Sequence, residues 1–229
     1  MIVAFDLDGT LLLGEERGFP EGNGALDRRL GVPGVMEQAY AYTTTRKGSF
    51  LTSKKEQIAT ALALANPDPE PTSERLEELL ALYLATALPY RKPDPAALPL
   101  LAELRAAGVT VGVQTAAPAD VALPELEAAD LSNHLDFVLT TDQVGAGKGT
   151  PRFSDALSRQ TGEPPLVVVG DSEADLLAGR LAGAFTILVQ RSGRPPVSPQ
   201  VPPDWRVADL GELRRVGFER IVAELRNSR

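Results

Sequence analysis

The strongest constraint on the fold is a series of short, uninterrupted apolar runs, each followed closely by polar residues. These runs lie at residues 2–5, 109–113, 137–139, 166–169 and 187–189. An apolar run of this length without alternation is typical of a strand buried on both faces. Helical patterns that end at Gly108, Gly162 and Gly183 lie between the runs. The alternation predicts an α/β fold in which helices cover both faces of a parallel sheet.

Residues 14–93 interrupt this alternation, because they carry helical patterns but no convincing buried strand. The clearest helices are at 53–65 and 72–87, with a turn (NPDPEP) at 66–71 and a return hinge (PYRKPDP) at 89–95. We therefore predict a core made of residues 1–13 and 94–229 and an inserted all-helical cap made of residues 14–93. Near the end of the core, a proline-rich surface excursion at 195–203, anchored by Trp205, precedes a last helix at about 210–225.

The composition excludes several kinds of site. The 229 residues include no cysteine, which removes disulfides, thiolate metal sites and cysteine nucleophiles. His134 is the single histidine, which disfavours a metal site built on histidines and a Ser-His-Asp triad. We expect His134 to lie at the surface or to be half-buried. The formal net charge of -8 disfavours nucleic acid or anionic lipid as a partner of the whole surface.

The sequence carries no signal for export or membrane insertion. The first ten residues have no basic flank or long apolar run, unlike a signal peptide. Nor does any segment approach the ~20 apolar residues that span a bilayer. We expect a cytoplasmic protein without a membrane partner, either a monomer or a small homo-oligomer.

Acidic residues follow the first and the fourth apolar runs. Asp6 and Asp8 end the first run, with Gly9 available for a backbone turn, and Asp171 and Asp175 follow the fourth. Because ligands bind at the carboxyl ends of parallel strands, we expect these acids at one edge of the sheet. Clustered carboxylates repel one another, and their hard oxygens suit Mg²⁺. Alternatively, Asp171 alone is typical of a turn, and the helix dipole stabilises Asp175 without any metal.

Two further polar residues reach the same edge. Thr115 ends the second run, and Lys148 follows the third in a glycine-flanked loop. A hydroxyl and an ammonium at this place suit a phosphate group, and the lysine also neutralises an attacking aspartate. In isolation, Thr115 is equally consistent with a polar strand end and Lys148 with a solvated loop lysine. The predicted ligand is a small phosphorylated metabolite.

Four segments, in this order, resemble the motifs of the haloacid dehalogenase-like superfamily. They are DLDGT at 6–10, the threonine at 115, GKGTPRF at 147–153 and GDSEADLLAGRLAG at 170–183. The resemblance covers the chain apart from the insertion, where only length and helicity match the smaller type of cap in this superfamily. It implies a Rossmann-like parallel sheet core with a helical cap, and magnesium-dependent phosphatase activity.

The resemblance also implies roles for the acids. It makes Asp6 the nucleophile that forms an aspartyl-phosphate. It makes Asp8 the group that protonates the leaving oxygen and then activates water. It implies that Mg²⁺ is held by the carboxylates of Asp6 and Asp171 and the main-chain carbonyl of Asp8, with Asp175 in support.

Thr115 and Lys148 match the phosphate-binding positions of the superfamily, but their neighbours depart from its pattern. Ala116 follows Thr115 where Asn is common, and Gly149 follows Lys148 where Pro is common. These departures weaken a subfamily assignment more than they weaken the chemistry. The segment YTTTRKGSF at 42–50 also resembles the phosphoglycolate phosphatase-like group.

Other functions stay open beside phosphate ester hydrolysis. A phosphotransferase such as a sugar-phosphate mutase uses the same aspartyl-phosphate but returns the phosphoryl group to the substrate. A haloacid dehalogenase lacks a second acid two residues after its nucleophile, so Asp8 argues against that activity. A non-enzymatic binding module is expected to have lost at least one of the four motifs, and all four are present.

Substrate specificity is expected to come from the insertion. Arg46 and Lys47 are its candidate residues for an anionic substrate tail, with Tyr42 and Thr45 as neutral alternatives. Adjacent basic residues are also typical of a solvated helix face, and that interpretation stays open.

Overall fold

The computed structural model of the protein describes residues 1–48, 50–66, 71–163, 166–193, 196–197 and 201–227. Its strands, in chain order, are β1 (Ile2–Phe5), β2 (Leu12–Leu13), β3 (Lys92–Pro93), β4 (Thr110–Thr115), β5 (Phe137–Thr140), β6 (Val167–Gly170), β7 (Phe185–Val189) and β8 (Trp205–Val207). Its α-helices are α1 (Glu15–Leu30), α2 (Val35–Lys47), α3 (Lys54–Ala65), α4 (Ser73–Ala87), α5 (Ala97–Ala106), α6 (Ala119–Ala128), α7 (Thr141–Val144), α8 (Pro151–Thr161), α9 (Glu173–Leu181), α10 (Leu210–Val216) and α11 (Phe218–Asn227).

Six strands form one parallel sheet in the order β5-β4-β1-β6-β7-β8. Successive connections place β4 and β5 on one side of β1, and the chain then crosses to place β6, β7 and β8 on the other. The carboxyl end of β1 therefore lies at the point where the winding direction reverses, which is where open α/β sheets bind their ligands. The predicted α/β fold with a parallel sheet is confirmed.

Both faces of the sheet are covered by helices. Val3 and Phe5 point into a cluster that includes apolar residues of α5, α6, α10 and α11. Ile2 and Ala4, which alternate with them along β1, pack with Phe153 of α8 on the other face. Strands buried on both faces carry no polar alternation, and for this reason the apolar runs located them in the sequence.

Helices α1 to α4 pack around a second apolar cluster, which includes Leu26, Met36, Ile58 and Tyr83. The chain enters and leaves this region through the antiparallel pair β2 and β3, with Leu12 opposite Pro93 and Leu13 opposite Lys92. The boundaries of core and cap, 1–13 with 94–229 and 14–93, stay a prediction. The predicted helices at 53–65 and 72–87 correspond to α3 and α4, which begin after side-chain caps from Ser53 and Thr72.

Helix α1 contains Pro20 and two buried glycines, Gly18 and Gly22, which weaken a helical signal in the sequence. The glycines have a packing role. A Cβ atom on Gly22 would lie 2.7 Å from the ring of Tyr83, and one on Gly18 would lie 3.0 Å from the side chain of Arg91. The small residues thus let α1 approach two large side chains closely, and this packing outweighs the low helix propensity.

The carboxyl-terminal part differs from the prediction in two respects. The last helix is divided into α10 and α11, because Gly217 adopts a φ of 87° between them. Trp205 lies in an additional strand, β8, where it packs partly buried against the core. Of the proline-rich segment, residues 195 and 198–200 lie outside the described residues, as do residues 67–70 of the predicted turn, while Val201 is buried against Leu176 and Leu188.

His134 is half-buried, as expected. Over the described part of the chain, no helix combines the length and apolar character that a bilayer span requires.

Candidate active site

The carboxyl end of β1 carries the first predicted site residue. Asp6 is buried, and its backbone N–H donates to the carbonyl of Val169 on β6 at 2.8 Å, which continues the sheet to the site. Gly9 then takes a φ of 79°, and its N–H donates to the Leu12 carbonyl at 2.7 Å. This turn separates the carboxylates of Asp6 and Asp8, so that each contacts a different basic residue.

Lys148 bridges two carboxylates in the site. Its Nζ donates to Oδ1 of Asp6 at 2.5 Å and to Oδ1 of Asp175 at 2.7 Å, and its side chain is almost fully buried. Burial alone lowers the pKa of a lysine, but the carboxylates of Asp175 and Asp6 outweigh it and raise the pKa of Lys148 above its usual value. Lys148 is therefore a permanent cation beside Asp6.

The site contains more negative charge than Lys148 can balance. One carboxylate oxygen each from Asp6, Asp171 and Asp175 lies within 4.8 Å of the others. Burial, and next the carboxylate of Asp175, raise the pKa of Asp6 well above its usual range and the pKa of Asp171 to about 6. A compact set of hard oxygen donors with excess negative charge fits a divalent cation such as Mg²⁺.

Asp175 is held in place by hydrogen bonds at the start of α9. Its Oδ2 accepts a bond from the backbone N–H of Ser172 at 3.1 Å, and its own backbone N–H donates to Oγ of Ser172 at 3.4 Å, which forms a capping box at the start of α9. The Ser172 hydroxyl also donates to Oδ2 at 2.5 Å. A Cβ atom on Gly170 would lie 2.3 Å from the Asp175 carboxyl carbon, so Gly170 is required for this close approach. Asp175 thus lies in the first turn of α9, where the helix dipole stabilises it as expected, and it also contacts Lys148.

Thr115 is completely buried at the end of β4. Its Oγ1 accepts a bond from the backbone N–H of Ala117 at 2.9 Å, which fixes the oxygen and leaves the hydroxyl proton available to a ligand. The two alanines that replace the expected polar residue thus still contribute backbone groups to this turn.

The carboxylate of Asp8 contacts a buried arginine that we did not predict. Arg91 donates through Nη2 to Oδ1 of Asp8. It also donates through Nε to Glu125 at 2.8 Å and through Nη1 to Glu15 at 3.3 Å. Among the described acids, the carboxylate of Asp8 does not belong to the group that could hold a metal, so a contribution to a metal would come through its carbonyl.

A second arginine that we did not predict from the sequence holds the loop after Asp8 through hydrogen bonds. Arg191 follows β7 and donates to the carbonyls of Gly9 at 2.8 Å and Thr10 at 3.0 Å. The same guanidinium pairs with Asp94 at 2.7 Å, close to the start of α5. Neither arginine has a local sequence signal, since their partners are distant along the chain.

Comparison with models of protein families shows which family this chain belongs to. The model of the haloacid dehalogenase-like hydrolases matches residues 1–183. The chain belongs to this family. The match spans the strand ends that carry Asp6, Thr115 and Asp171 and the loop that carries Lys148, and the resemblance of the four motifs is confirmed.

Curated relatives of this haloacid dehalogenase-like chain include phosphatases. Validoxylamine A 7'-phosphate phosphatase from Streptomyces hygroscopicus subsp. limoneus is 31% identical over 188 residues, which cover 81% of this chain and 84% of that protein. Phosphoglycolate phosphatase from Aquifex aeolicus is 27% identical over 189 residues, which cover 82% and 83%.

Solved structures agree on the fold. A HAD phosphatase from Thermococcus onnurineus superposes with a TM-score of 0.65 at 26% identity, covering 94% of this chain and 96% of that one. The 2-haloacid dehalogenase from Pseudomonas syringae pv. Tomato DC3000 superposes with a TM-score of 0.74 at 24% identity, covering 95% and 98%. The second likeness concerns the fold alone.

The two candidate specificity residues of this family member, Arg46 and Lys47, are exposed and contact neighbouring surface residues. Arg46 is exposed, and its guanidinium stacks on the ring of Tyr42 at 4.9 Å. Lys47 is exposed and pairs with Glu56. Thr45 is also exposed, and its hydroxyl donates to the carbonyl of Ala41. These contacts fit the solvated-face interpretation, and a role of the pair in specificity stays a prediction without support from the geometry.

A cavity of about 330 Å³ opens beside the site between α1 to α4 and the sheet. Its lining includes Asp8 and residues 116–118, directly after Thr115, together with Lys54 and Tyr83. A group bound at the strand ends would therefore extend into this space. Lys54 was missed because it was interpreted only as part of a helix, and its burial is the signal that distinguishes it from its neighbours.

Proposed function

We propose that this haloacid dehalogenase-like protein hydrolyses phosphate monoesters of small metabolites through an aspartyl-phosphate on Asp6. The observation that carries the proposal is the contact of Lys148 with both Asp6 and Asp175, with Asp171 beside them. A buried carboxylate next to a permanent cation suits attack on a phosphoryl group, because the cation offsets the repulsion between two anions. The phosphatase relatives support the same reaction class.

In the first step, an Asp6 oxygen bonds to phosphorus while the bond from phosphorus to the leaving oxygen breaks. Asp8 gives its proton to the leaving oxygen, so that the alcohol departs neutral. In the second step, a water oxygen attacks the phosphorus of the aspartyl-phosphate, the bond from phosphorus to the Asp6 oxygen breaks, and Asp8 takes the water proton. Free phosphate leaves, and both carboxyl groups return to their starting states.

The other residues hold the phosphoryl group and the catalytic acids. Thr115 and Lys148 bind phosphate oxygens, while Arg91 orients the Asp8 carboxylate through the contact described above. Asp6 and Asp171, with the Asp8 carbonyl, would hold Mg²⁺. Both carboxylate oxygens of Asp175 already accept hydrogen bonds, so Asp175 is assigned a supporting role beside these ligands. When bound, the metal ion neutralises charge on the phosphoryl group.

The test is release of inorganic phosphate from phenyl phosphate in the presence of Mg²⁺. We expect free phosphate to accumulate, EDTA to stop the reaction, and added Mg²⁺ to restore it. Retention of the phosphoryl group on a second substrate alcohol, without free phosphate, would favour the phosphotransferase alternative. Asp6→Asn is expected to lose turnover while it keeps the melting temperature, since the amide is similar in shape but a poor nucleophile.

A further inference from the structure

The lining of the cavity includes a buried cation whose hydrogen-bond acceptors are neutral. Lys54 is only 7% exposed. Its Nζ donates to Oε1 of Gln57 at 3.0 Å and to Oδ1 of Asn23 at 3.2 Å. Both partners are uncharged amide oxygens, and an ammonium has a third N–H donor beyond these two bonds. Among the residues that the structure describes, no carboxylate pairs with Lys54 within salt-bridge distance.

The surroundings fix the position of this ammonium. The Gln57 amide is oriented by its NH₂ group, which lies 3.4 Å from the carbonyl and the hydroxyl of Thr52. Nζ also lies over the ring of Tyr83, 4.4 Å from its centroid. A cation on an aromatic face is attracted to it, but this attraction does not replace a counter-ion. A buried charge is costly, and the carboxylates of Asp120 and Glu125 act on this one only from beyond salt-bridge distance, so its retention beside a cavity needs a reason.

The rest of the cavity wall has few polar groups. Apolar or aromatic surface comes from Phe19, Tyr40, Phe50, Tyr83, Pro118 and Val121. A polyhydroxylated substrate needs several hydrogen-bond partners, because buried hydroxyls without partners are costly. Of the neutral polar groups in this lining, the amide oxygens of Asn23 and Gln57 already accept bonds from Lys54, and most of the remaining surface is apolar.

We infer that the substrate is a phosphate monoester whose alcohol carries a second anionic group on an apolar carbon frame, and that Lys54 binds this group. The second anion is a carboxylate or another phosphate, since both offer anionic oxygens to an ammonium. The scissile phosphate lies at the strand ends, the carbon frame crosses the apolar part of the cavity, and the second anion reaches Lys54. This inference rests on the proposed phosphatase function and defines its substrate class.

The experiment compares matched aryl phosphates. The neutral reference is para-carbamoylphenyl phosphate. Its two anionic counterparts are para-carboxyphenyl phosphate, which differs mainly in charge, and para-phenylene bisphosphate, which tests a second phosphate. We expect the wild-type protein to show a kcat/KM at least about tenfold higher for one anionic ester than for the neutral one. The preferred ester identifies which of the two anions the site takes.

Lys54→Met removes the charge and keeps most of the side-chain volume. It should lower the anionic-to-neutral ratio of kcat/KM to about one, whereas Lys54→Arg should keep part of the preference. The ratio cancels any general loss of activity. The matched control is Lys55→Met on the same helix, since Lys55 pairs with Glu77 on the surface and should leave the ratio unchanged.

Equal turnover of all three esters by the wild-type protein would overturn the inference without any variant, so it remains testable if Lys54→Met does not fold. A preference that survives Lys54→Met would also overturn it. The proposed function fails in a different way, namely when none of the esters releases phosphate.

Discussion

Arg91 binds Glu125 through two parallel hydrogen bonds, from Nε at 2.8 Å and from Nη2 at 3.1 Å, in a completely buried pair. Burial raises the pKa of Glu125 to about 7, because it outweighs the hydrogen bond and the charge of Arg91, which lower this pKa. The same guanidinium holds the carboxylate of Asp8. The proposed acid and base is therefore positioned by a buried ionic network whose members come from three separate parts of the chain.

This network predicts strong coupling between Arg91 and Glu125. Arg91→Met should lower the free energy of unfolding by about 3–5 kcal/mol, because it leaves buried carboxylates without a cation. Glu125→Leu should also destabilise, but the double variant should lose about 2 kcal/mol less than the sum of the single losses. Urea denaturation of the four proteins measures this coupling. Arg105→Met is the control, since its exposed pair with Asp136 is worth about 1 kcal/mol or less.

Additive losses in that cycle would contradict the ionic network. A loss for Arg91→Met no larger than the loss for Arg105→Met would contradict it as well.

Asp120 joins α6 to the start of α3. Its carboxylate accepts the backbone N–H groups of Lys54 and Lys55, both at 2.9 Å. Asp120→Ala should remove about 1–2 kcal/mol of stabilisation, because helix N-termini favour acidic acceptors. Hydrogen exchange should speed up at these two amides, whereas the exposed neighbour Glu127→Ala should leave their exchange unchanged. Unchanged exchange in Asp120→Ala would mean that this contact does not hold α3.

The buried ammonium of Lys54 predicts a pH-dependent stability. Burial lowers the pKa of Lys54 to about 8, below the value of an unfolded chain. The folded protein then binds fewer protons than the unfolded one between these two pKa values, so this group favours the folded state as the pH rises. Between about pH 7 and about pH 10, the free energy of unfolding of the wild-type protein should rise by about 2 kcal/mol relative to that of Lys54→Met.

Chemical denaturation of both proteins across this pH range measures the gain, and other titrating groups cancel in the difference. A constant difference would show that Lys54 keeps an ordinary pKa and is more solvated than its position indicates.

The acidic group predicts a metal-dependent stability. Mg²⁺ should raise the melting temperature of the wild-type protein, because a ligand that binds only the folded state stabilises it. Asp171→Asn should weaken that response. In EDTA the variant should be at least as stable as the wild type, because burial and Asp175 disfavour a charged Asp171. The nearby exposed Glu173→Gln is the control and should respond like the wild type. An identical response of Asp171→Asn would contradict a metal at this position.

The parts of the fold that the sequence predicted have local causes. Strands buried on both faces require continuous apolar runs, and the acids that follow β1 and β6 stand directly at the strand ends. The placement of Asp6, Asp171 and Lys148 was therefore accessible from spacing and strand order. Asp175 was equally accessible, since its capping box with Ser172 depends on residues three positions apart.

The parts that were missed depend on contacts between distant segments. Arg91 is 83 residues from Asp8 and 34 from Glu125 along the chain, so no local sequence pattern predicts their contact. Helix α1 forms despite Pro20 because its glycines pack against Tyr83 and Arg91. Lys54 is distinguished from Lys55 only by burial, which tertiary packing determines. Arg46 and Lys47 were favoured by sequence alone, and their surface partners explain why that choice lacks support.

The most direct test of the account is to detect the aspartyl-phosphate itself. The wild-type protein is mixed with phenyl phosphate and Mg²⁺, quenched in acid within the first turnover, and digested for mass spectrometry. We predict a phosphoryl group on the peptide that begins at the amino terminus, located at Asp6, and its absence in Asp6→Asn. Turnover by Asp6→Asn within about tenfold of the wild-type rate, or a phosphoryl group located on another residue, would contradict the central claim.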